Sequence, residues 1–112
     1  MEVKQMLDLC LGKIQEKKGT DLSVLKLSEV STICDYFVLA TAANNRQAQA
    51  ICDNVNEAVK GVGIIPAHIE GYSEGRWILL DIGAVVIHIF QEEERQYYNL
   101  EKLWSHAPAQ KL

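Results

Sequence analysis

The sequence predicts a single α+β domain with a central mixed β-sheet of about five strands, flanked by helices in the order α-β-β-α-β-β-β-α. Three observations carry this. The stretch Glu70–Phe90 holds two apolar runs of strand length, Trp77–Ile82 and Val85–Phe90, with only Gly83 and Ala84 between them. A two-residue link with Gly first suits a hairpin turn of type II′. Ile51, Cys52, Val55, Ala58, Val59 and Val62 recur at helical spacing just upstream. The 112 residues suffice for one hydrophobic core and divide into no second one.

Taken in order, Val3, Met6, Leu7, Cys10, Leu11 and Ile14 mark one face of an amphipathic helix over residues 2–17. Lys13, Lys17 and Lys18 suit the negative end of its dipole, and Gly19 ends it. Asp21–Val30 reads as a strand, with Leu22, Val24 and Lys26 on one face and Ser23, Leu25 and Leu27 on the other. Ser28–Cys34 connects it to a second strand, Asp35–Ala43, whose continuous apolar run Tyr36–Ala40 predicts burial on both faces. Asn44 caps the next helix, with Gln47 placed as in a capping box. Gly61 and Gly63 stop it before Pro66. Ile64–Glu70 follows as a short strand, parallel to Asp35–Ala43 through a right-handed crossover. Beyond the hairpin, three glutamates open a terminal helix, and Asn99 caps a short turn, LEKLW. Residues 1–108 form the domain. Residues 109–112 form a tail, and the whole segment Ser105–Leu112 is expected to be held by little.

Composition narrows the function. The net charge is −4 and the pI about 5.3, which argues against DNA or any broad phosphate-backbone partner and suits a basic protein partner. No apolar run nears the roughly 20 residues that span a membrane. The N-terminus lacks the apolar core of a secretory signal, so a cytoplasmic location is expected. Cys10, Cys34 and Cys52 are odd in number and show no CxxC spacing. They read as small hydrophobes in a reducing compartment.

A search for chemistry returns little. His68 and Glu70 share a strand face and His88 lies on another strand, but no HxH, HExxH or Cys/His pair accompanies them. His88, inside VVIHIF, reads as a hydrogen-bonded core histidine, and no metal or other cofactor is expected. An Asp81–His88 pair across the hairpin would lack a nucleophile, since no GxSxG or comparable motif is present; no residue is assigned as catalytic. The turn Thr41–Asn45 beside Arg46 is the natural anion site, but a capped helix start explains it. The hairpin itself is more informative. Ile78, Leu80 and Ile82 form the better core face, leaving Trp77, Leu79 and Asp81 on the other, with Glu70, Tyr72, Arg76 and Tyr98 as a rim. An exposed Trp–Leu patch with a charged rim is how a protein-binding hot spot looks. The competing reading, that the terminal helix covers Trp77, stays open here.

Three ordered blocks, DYFVLATAANNRQAQAICDNV, EGYSEGRWILLDIGAVVIHIF and ERQYYNLEKLW, resemble the signature blocks of the Iojap family of ribosomal silencing factors. The resemblance runs from Met1 to about Pro108. It rests on Asp35, Tyr36, Arg46, Gln47, Glu70, Gly71, Trp77, Asp81, Gly83, His88, Phe90, Arg95, Tyr98, Leu100, Glu101, Leu103 and Trp104. It implies an outline similar to nucleotidyltransferases and binding to the large ribosomal subunit through ribosomal protein fourteen. It also implies steric hindrance of subunit joining and no established catalysis; organellar relatives assist large-subunit assembly. Partner contacts are then expected at Glu70, Arg76, Trp77, Leu79, Asp81 and Tyr98. Ala84 stands where the family usually carries an acid, and Ala42–Ala43 replace a Gly-containing turn.

The leading expectation is therefore a ribosome-binding repressor of translation. Two others compete. A metal-dependent enzyme of nucleotidyltransferase type would bind Mg²⁺ or nucleotide near Asp35, Asp81 and His88. A homo-oligomerising structural domain would pair as a homodimer through an exposed strand edge.

Overall fold

The structure is a computed structural model and describes residues 1–110; the last two positions of the expected tail lie outside the described residues. The elements are α1 (Val3–Glu16), β1 (Thr20–Lys26), β2 (Tyr36–Ala42), α2 (Asn45–Gly61), β3 (His68–Glu70), β4 (Trp77–Asp81), β5 (Val85–Gln91), α3 (Glu92–Tyr98) and α4 (Leu100–Leu103). The five strands form one mixed sheet in the order β1-β2-β5-β4-β3. Only β2 and β5 are hydrogen-bonded in parallel. The predicted fold class and order are those found, except that the expected turn at LEKLW forms a separate short helix, α4. β3 runs parallel to β2, as expected of the crossover, but β5 and β4 lie between them.

Alternation along each strand sorts the side chains into two layers. On the first face Val24, Val38, Ala40, Ile78, Leu80, Ile87 and Ile89 pack under α1 and α2, which contribute Leu7, Cys10, Ile14, Ile51, Val55 and Val59. On the second face Leu25, Leu27, Phe37, Leu39, Val86 and Phe90 form a smaller cluster with Ala107, flanked by Trp77, Leu79, Leu100 and Trp104. β2 is buried along its whole length, as its unbroken apolar run requires.

Local chemistry sets the boundaries. Asn44 accepts from the Gln47 backbone N–H at 2.8 Å, as an N-cap should. The Gln47 side chain does not close the expected box on Asn44. It accepts from the Ala43 N–H and donates to the Lys17 and Lys18 carbonyls, tying the start of α2 to the end of α1. Gly19 is not the left-handed residue that ends α1; Lys18 is, at φ 64°. Gly19 is needed for close packing, because a Cβ there would lie 2.5 Å from Ile14 Cγ2.

The strand expected from Ile64 begins only at His68. Gly63 N–H bonds to the Lys60 carbonyl and Ile64 N–H to that of Val59. This is a Schellman closure, which spends Ile64 on capping α2. Pro66 then supplies no ladder donor. β1 likewise ends early, where the Val30 and Ser31 N–H groups turn back onto the Leu27 carbonyl.

Against the expectation of a loose tail from Ser105 onward, residues 107–110 are held in place. Lys26 N–H donates to Pro108 O and Gln110 N–H to Val24 O, each at 2.8 Å, and Ala107 is buried. An isolated bridge joins Leu25 and Ala109. Residues 107–110 thus lie along the free edge of β1.

Candidate functional site

The second face of the sheet is covered at one end and open at the other. Register places Glu70 opposite Leu79, Leu79 opposite His88 and His88 beside Leu39, which makes one row across four strands. A second row runs His68, Asp81, Val86 and Phe37. Along both rows burial falls from the middle of the sheet to the β3 edge. Leu39 and His88 are enclosed, Leu79 and Asp81 are half-buried, and His68 and Glu70 are exposed. Trp104 packs edge-on against Phe37 at 5.8 Å between ring centroids, so the α4 region roofs the β2 side. The β3–β4 strip has no comparable roof among the described residues.

Of the residues expected to meet a partner, Glu70, Leu79 and Asp81 line this strip. Trp77 stands at its border. Its indole stacks on Phe90 at 4.9 Å and meets Tyr98 at 4.6 Å, while its Nε1 donates to His88 Nδ1 at 3.1 Å. Both readings of Trp77 hold in part: the residue packs against the second cluster and is left partly exposed. Arg76 is engaged with Glu94 at 2.7 Å. With Gly71, Trp77 and Tyr98 the pair frames a shallow groove of about 250 Å³. Tyr98 is half-exposed beside it.

Tyr72 does not rim this surface. It packs against the first core and donates from its hydroxyl to Asp53 on α2. Gln49 donates to the Tyr72 carbonyl and Gln91 to that of Gly75, which pins the loop before β4 from both sides. Arg95, matched in the resemblance but given no role there, is a structural tie. Its side chain is almost enclosed and bonds Thr41 Oγ1, the Asp21 carbonyl and Glu101, locking α3 against β1 and β2. An arginine late in a short helix carries no local signal of that role. His68 was weighed only as a ligand, yet its place opposite Asp81 puts it on the strip.

Asp81 accepts from the Gly83 N–H and makes no bond to His88, so the pair considered across the hairpin is absent. Burial lowers the His88 pKa to about 4, leaving the ring neutral at pH 7. Among the described residues no three His, Cys, Asp or Glu side chains are placed to hold a metal ion. The thiols of Cys10, Cys34 and Cys52 are buried and raised to about 12, 11 and 11 by desolvation, so they stay protonated. Among the described residues no helix is long and apolar enough to cross a membrane. Ala84 acts through its backbone: its carbonyl accepts from Asp35 and Tyr36 and joins the hairpin tip to β2.

Fold and surface together define a small α+β module whose sheet presents a half-open aromatic and acidic face. The family model described as ribosomal silencing factor during starvation matches residues 1–112. The ribosomal silencing factor RsfS of Halalkalibacterium halodurans is 37% identical over 112 residues, covering 100% of this chain and 96% of the relative. The protein of that name from Bacillus subtilis is 37% identical over 108 residues, covering 96% and 92%. A crystal structure of a Chromobacterium violaceum protein superposes with a TM-score of 0.91 at 31% identity, covering 94% of this chain and 88% of that one. The chain belongs to the ribosomal silencing factor family, whose work is translation regulation at the ribosome.

Proposed function

We propose that this protein binds the large ribosomal subunit through ribosomal protein fourteen and sterically blocks joining of the small subunit. The observation that carries the reading is the open β3–β4 strip, with Leu79 at its centre and Glu70 and Asp81 beside it. It joins half-buried apolar surface to two carboxylates, a combination suited to a basic protein surface. Trp77 and Tyr98, both partly exposed, supply aromatic anchors at its border. Arg76, held by Glu94, frames that border.

Steric exclusion asks for affinity and position and for no catalytic group. A domain with a radius of gyration of 12.7 Å and a width of 34 Å cannot share a closely fitted subunit interface. The protein acts in the cytoplasm, where it meets free subunits. The test is a crosslinking pull-down from cell lysate with a photoreactive side chain at position 79. Ribosomal protein fourteen should be the crosslinked partner. Crosslinking to a different ribosomal protein, or to none, overturns the reading.

A further inference from the structure

We infer that His88 is a positioning residue for the docking surface: its Nδ1 lone pair fixes the in-plane orientation of the Trp77 indole at the border of the β3–β4 strip. The inference rests on the docking reading above and deepens it.

The tautomer follows from the partner. Indole Nε1 is a donor only, so a bond of 3.1 Å to His88 Nδ1 requires Nδ1 to be the unprotonated acceptor and Nε2 to carry the hydrogen. The ring is 3% exposed, and its burial keeps it neutral. Nε2 is buried with no hydrogen-bond partner. Phe37 lies edge-on to the ring at 4.7 Å, and Phe90 lies nearly parallel to it at 6.1 Å.

This is an odd residue for a core. The neighbours along its row are Leu39 and Leu79, and an apolar side chain would fill the site without stranding a polar atom. What the imidazole adds is one acceptor, and Trp77 uses it. The other contacts of Trp77 are ring faces. Stacking on Phe90 at 28° and the tilted contact with Tyr98 hold the plane of the indole but do not distinguish the two χ2 settings, half a turn apart, that share that plane. The hydrogen bond selects the setting that aims Nε1 at His88. The indole at the border of the strip then has a fixed direction before any partner arrives, which spares the complex the cost of ordering it.

The test uses the full chain labelled with ¹⁵N, with Trp104 as internal reference. At pH 7 the wild type should show His88 Nδ1 unprotonated and Nε2 protonated. Its Trp77 indole proton should exchange at least about tenfold more slowly than that of Trp104. A protonated Nδ1, or equal exchange of the two indoles, overturns the inference, and neither measurement needs a variant that folds. In His88→Leu the protection of Trp77 should vanish, and affinity for purified large subunits should fall about tenfold. His88→Asn, whose Oδ1 stands near the place of Nδ1, should restore both to within about threefold. If His88→Leu binds as wild type while Trp77→Ala does not bind, the positioning role is wrong and the docking surface stands. If Trp77→Ala itself binds as wild type, the docking role of Trp77 fails, and the spectroscopic results alone decide the role of His88.

Discussion

Gly71 sits directly against the backbone of Trp77: a Cβ built on Gly71 would overlap the Trp77 carbonyl oxygen, and Gly71 holds φ +75°. Both features exclude any side chain there. The loop before β4 is therefore a mould that sets where Trp77 enters the sheet. Gly71→Ala should cost about 2–4 kcal/mol from left-handed strain and displacement of the β4 start. Urea denaturation measures the loss. Near-ultraviolet circular dichroism should show a changed Trp77 signal, whereas an unchanged signal with full stability would remove this loop from the account.

A second prediction concerns acid. The folded state holds His88 at about 4, against 6.5 for an ordinary histidine. Between those pH values the unfolded chain binds the proton and the folded chain does not. Stability is then fully present above pH 6.5 and falls as pH drops toward 4, by on the order of 3 kcal/mol from this group. Carboxylates titrate near the lower end of the same range, so His88→Asn is the reference. Urea midpoints from pH 7 to 4 should fall more steeply for the wild type, and parallel curves would contradict the assignment.

The C-terminal segment gives a third. Ending the chain at His106 removes buried Ala107 and two backbone bonds to β1. At about 1 kcal/mol for each bond and a similar amount for Ala107, a loss of roughly 2–3 kcal/mol is expected. A truncated chain with the wild-type urea midpoint would show that the pairing contributes nothing.

The sheet and its two layers were legible because period-2 and period-3.6 patterns report directly on burial. Tyr36–Ala40 had to be enclosed on both faces, and it is. Features that depend on distant parts of the chain were not legible. Whether Trp77 is core or surface turns on where Tyr98 and α3 lie, and a strand pattern says nothing about that. Arg95 joins three elements that are separated in sequence. Ile64 has the character of a strand residue but is drawn into the cap of α2. Ala107–Gln110 lacks any strand signal and is held by the free edge of β1. Of the expected contact residues, Glu70, Leu79 and Asp81 share the open strip because alternation and register carry them there. Tyr72, expected only at the rim, lies away from it because its loop turns back onto α2.

The central claim is that the β3–β4 strip docks on the large subunit and keeps the small subunit away. The most direct measurement follows the joining of purified subunits by light scattering, with the wild type beside Glu70→Lys and Leu79→Glu. Both substitutions fall on half-buried or exposed positions, where the fold should survive them. Wild-type protein should suppress joining, and each variant should need at least about tenfold more protein for the same effect. Variants that are folded and suppress joining as well as the wild type would contradict the account.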